Sequence, residues 1–187
     1  MNGHWQKSRD KLCSLVSWRP PVLIVFSGLP GTGKTTLAQA LARHLHAGYV
    51  RIDTIEDALL AEGGGNLVDA GAGYRVAYAI AEDNLRLERT VIADSVNPIR
   101  LTREAWRDVG KRSGSVVVDV QVICSDKAQH RHRIEARDPN TRASNWLEII
   151  NRDFDAVDHT TIVIDTAGQA VEQSLAALQI AVSARMP

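Results

Sequence analysis

The chain has 187 residues, with 22 Lys and Arg against 22 Asp and Glu, so its formal net charge is zero. That length suits one domain of ordinary size, and a composition of 44% hydrophobic and 24% charged residues excludes extended disorder. The neutral balance argues against a broad electrostatic grip on nucleic acid, and no apolar run is long enough to span a membrane.

Cys13 and Cys124 lie far apart and form no CxxC pair, which argues against a disulfide framework or a zinc site. A reducing, cytoplasmic setting fits, and nothing at the N-terminus reads as a signal segment. Residues 1–21 read as a lead-in closed by Pro20-Pro21, and 22–187 as a single domain. Val22 to Phe26 is continuously apolar and β-branched, the pattern of a strand buried on both sides in a parallel sheet. A Gly/Pro-rich stretch from Ser27 to Gly33 follows, and then Leu37, Ala38, Leu41, Ala42 and Leu45 recur at helical spacing.

The alternation continues along the chain. Tyr49 to Asp53 reads as a strand, Thr54–Ala61 as a short helix, Tyr74–Leu87 as a helix and Thr90–Asp94 as a strand. Ile99–Arg112 reads as a helix, Ser115–Cys124 as a strand with Val116, Val118, Val120 and Val122 on one side, and Asp126–Arg137 as a charged helix broken by Asp138-Pro139-Asn140. Trp146–Val157 then reads as a helix, Thr161–Asp165 as a strand and Gln169–Ala184 as a closing helix. Five strands separated by helices predict a three-layer α/β/α sandwich around a parallel sheet.

Gly28-Leu29-Pro30-Gly31-Thr32-Gly33-Lys34-Thr35 satisfies G-x-x-x-x-G-K-[ST], directly after a buried strand and before a helix. Its glycines let backbone N–H groups turn inward around a phosphate, and the helix N-terminus adds its positive end. Lys34 reaches the β- and γ-phosphates, the Thr35 hydroxyl suits Mg²⁺, and Thr36 is placed for the α-phosphate. The alternative, a chance Gly-rich turn, must explain all four specified positions of the eight-residue motif and both flanks.

Ligands of doubly wound sheets sit at the C-terminal strand ends, where Asp53 and Asp94 fall. Phosphoryl transfer to a hydroxyl needs a proton acceptor and a place for Mg²⁺, and two carboxylates could divide those roles. Asp53 as a helix cap and Asp94 as a turn former are the plain alternatives. Glu56 and Asn97 could line an acceptor pocket or lie on the surface. Arg133 and Arg137 are four apart, so on a helix they share a face and can clamp phosphate, unless they belong to a solvated charged face. His130 and His132 lack zinc spacing and read as surface residues. Trp106 and Trp146 read as core residues rather than base-stacking platforms, and the scarcity of aromatic residues weakens a single-stranded nucleic-acid reading.

Taken in order, Gly28 to Thr36, Arg51-Ile52-Asp53, Val91 to Asn97, Cys124-Ser125-Asp126 leading to Arg133 and Arg137, and Val163 to Gly168 resemble the small P-loop kinases. The resemblance covers residues 22 to about 180 and is strongest to the AAA-family ATPase-like group related to polynucleotide kinase, chloramphenicol phosphotransferase and zeta-toxin kinases. It implies a nucleoside-monophosphate-kinase-like fold with a short helical lid near 126–146. It also implies ATP and Mg²⁺, and transfer of the γ-phosphoryl group to a hydroxyl of a small-molecule acceptor. By the same resemblance Asp53 is the general base, Arg133 and Arg137 are lid arginines, Asp94 lies near the acceptor or the Mg²⁺, and the Val163–Gly168 turn packs near the adenine. Glu56 departs from the pattern, because polynucleotide kinases place a phosphate-binding Arg there, which weighs against a nucleic-acid 5′-hydroxyl acceptor. A polynucleotide or RNA-end kinase, a nucleotide-binding regulatory module and a toxin-like kinase of nucleotide sugars remain the competing readings. The acceptor pocket is expected from Glu62–Tyr74 and Asp94–Trp106, with the Gly-rich 63–73 segment as a cover or a plain loop.

Overall fold

In a computed structural model of the chain, the structure describes residues 20–62, 71–137 and 145–186. The N-terminal lead-in up to residue 19, most of the Gly-rich segment and residues 138–144 of the expected lid lie outside the described residues.

The six residues of β1, Val22–Ser27, are all buried, as the unbroken apolar run predicts. Their burial follows from their place at the centre of a five-stranded parallel sheet of order β2-β3-β1-β4-β5, with β2 at Gly48–Arg51, β3 at Val91–Asp94, β4 at Val116–Ile123 and β5 at Ile162–Asp165. Leu23 to Phe26 pair with Val91 to Asp94 on one side, and Val22 to Ser27 pair with Val116 to Gln121 on the other.

Side chains alternate across a strand, so β1 feeds two cores. Val22, Ile24 and Phe26 point into one, with Leu37 and Leu41 of helix α1 (Lys34–Leu45) and Leu178 and Val182 of the last helix, α7 (Val171–Ser183). Leu23 and Val25 point into the other, with Ala77, Ala81 and Leu85 of α3 (Ala72–Arg86) and Trp106 and Val109 of α4 (Arg100–Ser113). The arrangement is the three-layer sandwich read from the sequence. Trp106 is fully buried and meets Tyr78 edge-on at 4.6 Å, so it is a core residue as expected.

Three elements differ from the sequence reading. Strand β2 ends at Arg51, and helix α2 (Ile52–Ala61) begins at once, so Asp53 stands in the first turn of a helix rather than at a strand end or cap. Helix α5 spans Lys127–Glu135, capped by Asp126, whose Oδ1 accepts from the N–H groups of Ala128 and Gln129 at 2.9 and 3.0 Å. The next helix, α6, covers only Trp146–Ile150 and not the run to Val157. Residues 152–158 instead follow a non-helical path along the loop after β3. Arg103, only 4% exposed, holds them there by donating to the carbonyls of Asn97, Pro98, Asp155 and Ala156. On β4, Val118, Val120 and Val122 are buried, while Val116 at its start is exposed. Among the described residues, no helix is long and apolar enough to cross a membrane.

Candidate active site

The loop between β1 and α1 takes a conformation that only its glycines permit. Gly28, Gly31 and Gly33 all have positive φ, at 138°, 85° and 91°. A Cβ on Gly28 would lie 2.2 Å from the Val122 carbonyl oxygen, so the loop also passes closer to β4 than any side chain allows. Gly28 N–H donates to the Val96 carbonyl at 3.0 Å, and the Thr32 hydroxyl donates to the Leu29 carbonyl at 2.9 Å.

Helix α5 fastens this loop from the other side. His130, read from the sequence as a surface residue, is 5% exposed, and its Nε2 lies 2.7 Å from the Pro30 carbonyl oxygen. A carbonyl only accepts, so Nε2 carries the proton. The imidazole also meets Trp146 edge-on at 5.1 Å, which places Trp146 against α5. His132 is exposed, as expected. Ile134 packs beneath Gly31, where a Cβ would meet its Cδ1 at 2.4 Å.

Arg133 donates from Nη1 to the Thr166 hydroxyl at 2.8 Å and from Nη2 to the Thr166 carbonyl at 3.1 Å. Thr166 in turn donates to the carbonyls of Thr32 at 2.8 Å and Ile123 at 3.2 Å. Gln129 adds a bond from Gly168 N–H at 3.0 Å. The inner face of α5 is therefore attached to the phosphate loop and the turn after β5, and it does not stand clear of them as a flap would.

Two cavities open at the C-terminal end of the sheet. The smaller, about 280 Å³, lies between the loop glycines, Thr36, Arg133, Thr166 and Gln169. The larger, about 1160 Å³, is bordered by Lys34, Thr35, Asp53, Glu56 and Arg137 near the loop and by α3 and α4 beyond. Arg137 lines both, although α5 ends two residues before it, so the shared-face argument from a continuous helix does not apply.

Lys34 is buried, which pulls its ammonium below the ordinary lysine range, against the opposing pull of Asp94 and Asp53. Burial likewise lowers Arg137, with Arg51 adding to the effect and Asp53 opposing it. Asp94 is 1% exposed; its Oδ2 accepts from the Tyr49 hydroxyl at 2.7 Å, and its Oδ1 is buried with no partner among the described residues. Arg51, level with Asp94 across β2 and β3, donates from Nη2 to Asp53 at 2.8 Å and places Nε 3.8 Å from Asp94. It thereby links the two carboxylates. From the sequence alone Arg51, Tyr49 and Thr166 carry no individual role, because the pairing of the strands and the contacts after β5 bring them to the site, whereas Tyr74 ends the stretch expected to border the acceptor and does line the larger cavity.

Asn97 stands apart from the other candidates. It is fully buried at φ 49°, its side-chain amide has no partner among the described residues, and its backbone N–H donates to the Tyr74 hydroxyl at 3.2 Å. The structure puts it behind the wall of the larger cavity rather than on its surface.

The family described as AAA domain matches residues 23–156. The chain belongs to the AAA domain family. Among curated proteins, this AAA domain is similar to a probable adenylyl-sulfate kinase of Pseudomonas aeruginosa, 26% identical over 165 residues, covering 83% of this chain and 74% of the relative. Its fold is similar to a gluconokinase from Sinorhizobium meliloti, with a TM-score of 0.64, 16% identity and coverage of 89% and 94% of the two chains. It is also similar to the Mycobacterium tuberculosis APS kinase CysC in complex with AMPPNP and APS, with a TM-score of 0.67, 17% identity and coverage of 89% and 99%.

Proposed function

We propose that the chain is an ATP-dependent kinase that transfers the γ-phosphoryl group to a hydroxyl of a small-molecule acceptor. The observation that carries this reading is that Lys34 and Thr35 of the phosphate loop and the carboxylate of Asp53 border one and the same cleft. A nucleotide triphosphate on the loop would extend its terminal phosphate toward a compartment large enough for a second molecule. The kinase names of the relatives and structural neighbours point the same way.

In this reading the nucleoside lies in the smaller cavity beside Thr36, Arg133, Thr166 and Gln169, and the phosphates lie on the loop from Gly28 to Thr36. The acceptor hydroxyl attacks the γ-phosphorus, the bond from that phosphorus to the β–γ bridging oxygen breaks, and ADP leaves. Asp53 takes the hydroxyl proton, held in place by Arg51. Lys34 and Arg137 balance the charge of the transferring group, and Arg133, bonded to Thr166, forms a wall of the nucleotide cavity. Catalysis by such a site is positioning and charge stabilisation. The hydroxyl of Thr35 and the orphaned Oδ1 of Asp94 are hard oxygen donors that fit Mg²⁺. Bound there, the ion would neutralise charge on the phosphate oxygens. Glu56 borders the acceptor side of the cleft.

The test is ADP release from Mg-ATP across a panel of hydroxyl compounds, with Lys34→Ala as the blank. Acceptor-dependent turnover lost in that variant supports the reading. Tight ATP binding with no acceptor-dependent turnover overturns it.

A further inference from the structure

The far half of the larger cavity differs in chemistry from the half beside the phosphate loop. Its wall is built from Tyr74 and Tyr78 of α3 and from Val96, Pro98, Ile99 and Leu101 on the loop and first turn leading into α4. Both phenol oxygens are engaged by the protein, since Tyr78 donates to the Thr102 carbonyl at 3.3 Å and Tyr74 accepts from Asn97 N–H at 3.2 Å. The rings therefore present mainly carbon to the cleft. They are also fixed, with Tyr74 and Tyr78 6.0 Å apart at 52° and Tyr78 edge-on to the buried Trp106. At the mouth, Ile99 is 41% and Leu101 71% exposed, leaving apolar surface that a ligand's apolar body would cover.

Counted over the whole cleft, the described lining residues carry five cations and three carboxylates. With Lys34 and Arg137 committed to the triphosphate, the described lining residues set Arg51, Arg75 and Arg152 against Asp53, Glu56 and Asp57. Arg51 is already bonded to Asp53. From the described residues, a polyanionic acceptor would meet no excess of positive charge beyond the two cations given to the triphosphate, and each of its charges would have to be desolvated against an apolar wall.

We propose that the acceptor is an uncharged alcohol with a planar, apolar body, seated with that body against the wall from Tyr78 to Leu101 and its hydroxyl toward Asp53. This rests on the kinase reading above and narrows it to a substrate class. An aromatic or heteroaromatic alcohol meets both demands, because ring–ring contact suits the tyrosines and the absence of charge suits a rim balanced once the triphosphate is bound.

The experiment measures acceptor-dependent ADP release from Mg-ATP with three groups of probes. The first is adenosine, uridine and 4-hydroxyphenethyl alcohol. The second is adenylyl sulfate, which keeps the base and the 2′- and 3′-hydroxyls of adenosine and carries a charged phosphosulfate in place of the 5′-hydroxyl. The third is gluconate, which has hydroxyls and a carboxylate but no ring. The expected result is a kcat/KM for a member of the first group at least tenfold above adenylyl sulfate and gluconate. In Leu101→Asp, a change at an exposed position in the first turn of α4, KM for that acceptor should rise at least tenfold. Its KM for ATP and its melting temperature serve as folding controls, and Leu101→Met should restore acceptor binding. Best turnover with adenylyl sulfate or gluconate overturns the proposed class and leaves the kinase reading standing, as does an unchanged acceptor KM in Leu101→Asp. Lack of turnover with every probe in the three groups overturns both.

Discussion

His130 on α5 donates its Nε2 proton to the carbonyl of Pro30, a hundred positions earlier in the chain, across 2.7 Å. Replacing it by Phe preserves an aromatic edge for Trp146 but leaves a buried carbonyl of the phosphate loop without a donor. The expected cost is about 1–3 kcal/mol of stability, read from urea unfolding, together with a raised KM for ATP. An unchanged unfolding midpoint would show that the bond contributes nothing.

Asp53→Asn removes the proposed proton acceptor while keeping an oxygen for Arg51. Turnover should fall about 10²–10⁴-fold, the usual contribution of a general base, while calorimetry still detects ATP binding. Equal kcat in the variant with a verified acceptor would remove Asp53 from the chemistry.

Gly28→Ala puts a methyl group 2.2 Å from the Val122 carbonyl at a φ of 138°. The oxygen belongs to β4 and cannot swing aside as a side chain would. Thermal unfolding should show a loss of more than about 2 kcal/mol, accompanied by loss of nucleotide binding.

All three tyrosines of the chain, Tyr49, Tyr74 and Tyr78, have phenols pushed above the ordinary value of 10, in each case chiefly by burial. A raised folded-state pKa favours the protonated phenol in the native protein. This contribution is complete below the unfolded value and declines as pH climbs past it. Absorbance at the tyrosinate band should thus stay flat through pH 10 in the folded protein and appear on unfolding, and the urea midpoint should drop as pH rises beyond that point. Tyrosinate appearing in the native protein near pH 10 would contradict the burial.

Arg103→Lys retains the charge but not the fork that serves four carbonyls. Unpaired carbonyls should cost more than about 2 kcal/mol in all. Cleavage within 152–158 under limited proteolysis should quicken. Equal protease resistance would show that the guanidinium is not what holds this segment.

What the sequence disclosed was the part of the molecule encoded by neighbours. The unbroken apolar run of β1 told of burial on both faces, and the glycines before Lys34 told of a loop with positive φ, because both signals lie within a dozen residues. The extent of α6 was misread because residues 152–158 give up a helical path for bonds to Arg103, about 50 positions away in sequence. His130 was misread for the same reason, since its partner is a backbone carbonyl with no residue-type signature. Arg51 is informative only once β2 pairs with β3 and sets it level with Asp94.

The hydroxyl of Thr166 touches three separate stretches of chain, the phosphate loop, the end of β4 and the arginine of α5. Its neighbourhood lies on the β1–β4–β5 side of the sheet, whereas the far wall of the larger cavity comes from α3 and α4 on the other core. The stretches around the smaller cavity are thus tied into one piece, and the wall of the larger cavity is built from other parts. Divergence, natural or engineered, could rewrite the second without loosening the first.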